Sequence, residues 1–307
     1  MSTCGAKYRI TETIGRDRAI PILLSSVAGI GLLSGFAFFA SHRYHKEVPK
    51  SEEKELKVTL SAGFGDVAVA RGTRSAVLDA DIESEKGIDP DNFIEYAIRD
   101  RIGYVTINTN AEHGSKQGKR SINFEGFNSD SWKVRLTDAV PISFDISLGL
   151  GKGMFDLTGL RVKDLKISAG ASSVWLAFGS PNKTVIEDLT LESGLCKFSA
   201  EGLCNANFNH MKFEGGVGSY LLDFGGKLNK EVDVDIEVGL GSLTVRIPES
   251  VGARIIYEKS WIAHIDLDPD FSELQQNNYF SSNYRSAAGK MNIKIDAGLG
   301  RVKIQRE

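Results

Sequence analysis

A short phrase built around glycine recurs seven times in this 307-residue chain, and it restricts the fold more than any other feature. It reads SAGFGDVAVA from residue 61, SLGLGKGMFDL from 147, SAGASSVWLAF from 168 and ESGLCKFSA from 192. It returns as EGGVGSYLLDF from 214, EVGLGSLTVRI from 237 and DAGLGRVKIQ from 296. The anchoring glycines are Gly63, Gly149, Gly170, Gly194, Gly216, Gly239 and Gly298. From Gly149 to Gly239 they are spaced 21, 24, 22 and 23 residues apart, with Gly63 lying 86 residues earlier and Gly298 59 later. A steady period between roughly 20 and 50 residues is the mark of stacked repeats.

The positions around each anchor behave as columns. The residue after it is apolar throughout: Phe64, Leu150, Ala171, Leu195, Val217, Leu240, Leu299. The next is small: Gly65, Gly151, Ser172, Cys196, Gly218, Gly241, Gly300. Six after the anchor stand Val69, Phe155, Leu176, Ala200, Leu222, Val245 and Ile304, an inward-pointing position. Alternating segments such as LKIS, LTLE, MKFE, VDIE and NIKID precede the anchors, and period-two alternation is the strand signal. Small residues suit a tight corner where backbones approach closely or take positive φ. A phosphate-binding loop would need a helix after its glycines, whereas here each Gly-x-Gly runs into a strand. The expectation is an all-β chain, a β-solenoid of about 21–24-residue coils whose glycines are structural corners.

Residues 19–40, AIPILLSSVAGIGLLSGFAFFA, carry no charge over 22 positions. About 20 apolar residues span a bilayer as a helix, and AFFA before SH is a poor signal-peptidase site. The chain therefore divides into an N-terminal tail (1–18), one transmembrane helix (19–40), a charged tether (41–56) and the solenoid (57–307). Lys7, Arg9, Arg16 and Arg18 before the span balance Arg43, Lys46, Lys50 and Lys54 after it. The proximity of Arg16 and Arg18 favours the N-terminus inside and the solenoid outside. Gly31 and Gly35 have the small-x-x-x-small spacing of helix–helix contacts, which also arises because glycine is common in membrane helices. His42 and His45 in the tether have no Cys or carboxylate at metal-ligand spacing, so no metal site is expected there.

Two polar excursions, 81–93 and 108–130, interrupt the early part, with YAIRDRIGYVTIN between them reading as one or two strands. The aromatic stretch 260–289, with Trp261, Phe271, Tyr279, Phe280 and Tyr284, is expected to cover the C-terminal end or side of the stack, because a solenoid needs a cap.

The segment WKVRLTDAVPISFDISLGLGKGMFDLTGLRVKDLKISAGAS, followed by GLCNANF and VGLGSLTVRIPESVGARI, resembles the toast-rack type of bacterial β-solenoid domain. The ending NYRSAAGKMNIKIDAGLGRVKI is similar to the C-terminal domain of membrane-bound regulators of the cell-envelope stress response. The resemblance covers roughly 57–307 and implies a membrane-tethered, non-catalytic domain; with the orientation that Arg16 and Arg18 favour, it is expected on the outer side of a bacterial inner membrane. Its expected partners are the bilayer and other membrane proteins or a second copy of itself.

A net charge of −3 gives no basic footprint for nucleic acid. Three cysteines cannot all pair, and Cys196 and Cys204 read as small buried apolar residues. His113, His210 and His264 are isolated, and no nucleophile stands with a base. No cofactor is expected. The rival class is a carbohydrate-active β-helix enzyme, which needs paired acids on successive coils; only Glu201 and Asp223, seven after their anchors, qualify. Five after the anchor, Met154, Trp175 and Leu221 share an outward column with Ser199 and Thr244, and contiguous exposed apolar surface marks a contact site.

Overall fold

The computed structural model describes residues 9–15, 41–85, 88–109, 130–258 and 264–307. Among them are β1 (Arg9–Gly15), β2 (Ser41–Pro49), β3 (Glu55–Arg71), β4 (Ala76–Ser84), β5 (Ile94–Arg99), β6 (Ile102–Asn108) and β7 (Ser131–Leu136). The long strands β8 (Ile142–Asp156), β9 (Val162–Ala177), β10 (Ile186–Glu201), β11 (Phe208–Asp223) and β12 (Glu231–Ile247) follow. The chain closes with β13 (Gly252–Glu258), β14 (His264–Leu267), β15 (Phe271–Gln275), β16 (Asn278–Ser281) and β17 (Lys290–Arg306). All belong to one hydrogen-bonded sheet system.

The seven glycine phrases form one uninterrupted stack. Each of β3, β8, β9, β10, β11, β12 and β17 is a bent strand with two arms and a corner at its Gly-x-Gly, and neighbours pair in parallel without slipping register at the corner. The 86-residue interval is closed by Phe64 opposite Leu150 and Gly65 opposite Gly151. The 59-residue interval is closed by Leu240 opposite Leu299 and Gly241 opposite Gly300. Both long intervals are thus insertions between adjacent coils.

The two arms of each coil face one another across a common core. The column three before the anchor (Leu60, Ile146, Ile167, Leu191, Phe213, Ile236, Ile295) and the column six after it are buried throughout. Each large side chain so placed contributes roughly 1.5–3 kcal/mol relative to exposure. Arms interlock across the core: the Phe213 ring meets Phe198 at 5.7 Å and Tyr220 at 5.2 Å, edge to face.

Each end of the stack carries one further, broken coil. β6 pairs with the first arm of β3 and β7 with the second, residues 109–130 standing between them in the sequence. β13 and β14 do the same on β17. YAIRDRIGYVTIN proves to be two strands, a hairpin whose two-residue turn places Asp100 and Arg101 at φ 51° and 62°. The expected C-terminal cap is present: Phe271 and Tyr279 pack on the core, and β16 pairs with β13. Trp261 lies outside the described residues.

The stretch 41–56, expected to be a tether, is corrected by the structure. It carries β2, which pairs antiparallel with β4, and Tyr44, Lys46 and Val48 are buried. The disguise is Lys46, a charge at an inward position; its Nζ is held by Asp91 Oδ1 at 2.7 Å and Ile94 O at 2.6 Å. The stretch before 57 is therefore part of the sheet rather than a linker to it. β1 pairs antiparallel with the other edge of β2, Gly15 opposite Ser41. The proposed span 19–40, with Gly31 and Gly35, lies outside the described residues; among those described, no helix is long and apolar enough to cross a membrane.

Candidate functional site

The corner edge is the most regular surface of the molecule. One residue before the anchor points into the core (Leu148, Val238) and so does the fourth after it (Val174, Leu243), while the residues between turn outward. The apolar side chain after the anchor is therefore thrust into solvent at the apex. Leu150, Leu195, Val217, Leu240 and Leu299 are between 41% and 63% exposed, and they make up five of the eight exposed large hydrophobic residues among those described. Register stacks them: Leu195 beside Val217, Val217 beside Leu240, Leu240 beside Leu299. The result is an apolar ridge, made of large side chains from Leu195 to Leu299, with the small Ala171 standing between Leu195 and Leu150.

Two glycine columns make this possible by different means. Gly241, two after its anchor, sits at φ 142°, and a Cβ there would overlap the carbonyl oxygen of Gly218. Gly239, an anchor, has no positive φ; its constraint is stacking, since a Cβ would stand 2.9 Å from the carbonyl oxygen of Gly216. The anchors are thus close-approach positions. Positive φ belongs to the second column, at Gly65, Gly151, Gly241 and Gly300.

Alongside the ridge, on the first-arm side, runs a groove of about 860 Å³ floored by the anchor glycines. Its wall carries Ser147 and Ser168 on β8 and β9 and then an acid on each of the next four coils, Glu192, Glu214, Glu237 and Asp296. Lys166 lies 2.8 Å from Glu192 Oε1, and the hydrogen bond from that ammonium, with another from Ser168, holds the Glu192 carboxyl below its ordinary value. Lys212 pairs with Glu214. On the second-arm side, three residues after the anchor, the column reads Asp66, Lys152, Ser173, Lys197, Ser219, Ser242 and Arg301, with Lys152 3.9 Å from Asp66. From β10 to β17 the edge is therefore acidic on one flank, apolar at the apex, and on the other flank basic at Lys197 and Arg301 with serines between them.

The outward column chosen from the sequence is assembled in register: Met154 beside Trp175, Trp175 beside Ser199, Ser199 beside Leu221. Met154 is 55% exposed, whereas Trp175 and Leu221 are half-buried. Sequence reasoning noticed the constant apolar residue after each anchor but assigned it no direction, and so missed the ridge.

Other candidates resolve into structure. Glu201 and Asp223 lie on neighbouring coils; Glu201 accepts a bond from Ser199 Oγ at 3.4 Å, and Asp223 accepts the Gly225 N–H at 2.7 Å, shaping a turn. Cys196 and Cys204 are both free and buried. Burial, with Asp223 adding to it, pushes the Cys204 thiol up to about 12, far from nucleophilic at neutral pH. His45, expected to lack carboxylates, has two supplied by β4: Nδ1 lies 2.9 Å from Asp81 and 3.5 Å from Asp79. The three offer ligand atoms within 4.8 Å of one another, but Arg135 already bridges both carboxylates, at 2.8 Å and 2.5 Å. Burial alone would raise the Asp81 carboxyl; the hydrogen bonds from Arg135 and His45 outweigh it and hold it below its usual range. A dication would have to displace the guanidinium, so the cluster is a clasp joining β2, β4 and β7.

Residues 40–199, just over half of the chain, match the family described as the N-terminal domain of toast_rack, DUF2154. No curated protein matches the sequence significantly. Among solved structures, a candidate cell adhesion protein from Clostridium sporogenes ATCC 15579 shares 20% identity, with 86% of this chain and 99% of that one covered and a TM-score of 0.41. A candidate adhesin from Bacteroides fragilis NCTC 9343 shares 14% identity, with 86% and 97% covered and a TM-score of 0.33. Superpositions this loose carry no argument about function.

Proposed function

Because this chain belongs to the family of the toast_rack N-terminal domain, DUF2154, we propose that it is a non-catalytic, membrane-attached contact scaffold of the bacterial cell envelope, serving as an accessory subunit of a membrane complex or an envelope-stress regulator. One observation carries the reading. Most of the exposed large apolar side chains stand in a single column on a rigid edge built from seven coils, and contiguous apolar surface of this kind marks interaction sites rather than reaction centres. The half-buried Trp175 beside exposed Met154 extends this face onto the second arm.

The uncharged stretch 19–40 supplies the attachment. Its geometry is constrained by β1. Paired strands lie about 4.8 Å apart, whereas a single crossing separates its flanks by about 30 Å. A chain that crosses once gives up the β1–β2 pairing; a chain that keeps it enters and leaves the bilayer on one face. The reading commits to a single crossing with the solenoid on the outer side.

The native cysteines allow a direct test, because Cys196 and Cys204 are buried and only Cys4 lies before the span. The full chain is expected to stay with carbonate-washed membranes, and Cys4 to escape an impermeant maleimide added from outside. Recovery in the carbonate supernatant would sink the attachment; labelling of Cys4 from outside would sink the single crossing alone. Affinity capture after gentle solubilisation tests the contact role. Trp175→Ala is expected to lose co-purifying protein while keeping its circular dichroism, and full retention by a folded variant would count against this face.

A further inference from the structure

The corner edge is complementary to itself. Consider two stacks face to face along this edge and related by a two-fold axis parallel to the ridge. The operation keeps coils at the same height and exchanges the flanks, so an acid of one copy meets a base of the other at two levels, and every other level has serine on at least one side. At the level of β17, Asp296 of one copy faces Arg301 of the other; at β10, Glu192 faces Lys197. The ridge, displaced from the groove across the edge, falls into the groove of the opposite copy. A two-fold axis perpendicular to the ridge would instead set Glu192 against Glu192 and Lys197 against Lys197 at the central coil.

We propose that two copies of this chain pair side by side and in parallel through the corner edge, the apolar ridge of each seated in the glycine-floored groove of the other. Parallel pairing leaves β2 of both copies at the same end, as two chains held in one membrane require. The area sets the strength. Six steps of about 4.8 Å make the ridge roughly 29 Å long, and five residues from the acidic to the basic column span roughly 16 Å, giving on the order of 450 Å² per copy. A stable interface buries about 800 Å² per partner. The pairing is therefore weak between free molecules and becomes populated when membrane confinement raises the effective concentration. This deepens the contact-scaffold reading and rests on it.

The test is cross-linking of the full chain in the membranes that produce it, in a Cys4→Ser background. Leu150→Cys lies one coil in from one end of the ridge and Leu299→Cys at the other end. With a short homobifunctional maleimide, each is expected to give a band at twice the monomer mass, and Asp188→Cys, which is 79% exposed on another face, several-fold less. Asp296→Arg and Arg301→Asp are each expected to lower the yield several-fold, and the double variant to restore it. A product only from the mid-ridge variant Leu195→Cys means antiparallel pairing and overturns the proposal. Products of another mass mean a different partner and overturn it too, as do equal yields at Asp188→Cys or failure of the double variant to recover. The bands are scored in whichever fraction holds the chain, so loss of membrane attachment and loss of pairing are separate results.

Discussion

The two edges of the coil stack solve the same problem, reversing the chain, in opposite ways. The corner edge repeats: every coil turns at a small residue two after its anchor, with positive φ at four of the seven, and adjacent backbones come so close that the anchor and second-column glycines leave almost no room for a Cβ. The return edge is different in every coil. Turns of five, eight, six and seven residues join β8 to β9, β9 to β10, β10 to β11 and β11 to β12. There, side-chain amides do the joining. Asn182 Oδ1 accepts the Val162 N–H at 3.0 Å, and its Nδ2 donates to the carbonyls of Val162 and Ala206 at 2.7 and 3.1 Å. A repeated backbone corner yields a repeating surface; individual side-chain bonds yield variable turns. A repeating surface can be read by a partner along its length, which is why function is placed on the corner edge.

The strongest way to break this contrast is at the corner. Gly241→Val combines a β-branched residue at positive φ with a Cβ that overlaps the Gly218 carbonyl, and is expected to cost about 3 kcal/mol or more. Gly239→Ala meets only the 2.9 Å approach and no φ strain, so a smaller loss of about 1 kcal/mol is expected. Urea unfolding of the purified protein ranks the two; equal losses would show that the columns do not differ. On the return edge, Asn182→Ala leaves the buried Val162 N–H and two carbonyls without these bonds, for an expected loss of about 2 kcal/mol. A change below about 0.5 kcal/mol would mean that water replaces the amide.

These edges also decide what the sequence could reveal. Subtract the turn lengths from the anchor spacings and 16 residues remain in every coil, so all the drift in the repeat belongs to the return turns. The coil, its anchors and its inward columns were legible because they repeat. The direction of the ridge was not, because alternation cannot be carried across a corner: the inward positions on either side lie five residues apart, an odd number, and period two loses phase. The N-terminal sheet was illegible for another reason. His45 meets Asp81 from 36 residues away, and Lys46 is buried against all expectation for a lysine. The continuity of the stack across both insertions needed the register itself.

A smaller effect separates the repeating stack from that N-terminal sheet. The Asp81 carboxyl is depressed in the folded protein, so its contribution is present above the unfolded carboxylate value, near 3.9, and is lost as pH falls through the lower folded value. Acid below about pH 4 should loosen the clasp among β2, β4 and β7, while Asp81→Asn, expected to cost about 1 kcal/mol or less at pH 7, should flatten that dependence. Hydrogen exchange of β2 amides against those of β11 reads it; parallel acid sensitivity in both variants would remove the clasp as the cause.

The central claim is that the corner ridge serves contact and contributes little to folding. Leu240→Asp measures it most directly, with thermal melting and cross-linking through Leu299→Cys followed on the same Cys4→Ser full-length protein. The account predicts a melting temperature within about 2 °C of the parent, as for an exposed position outside the core, together with a loss of most of the cross-linked product. A fall in melting temperature of more than about 5 °C, or undiminished cross-linking by the folded variant, would contradict it.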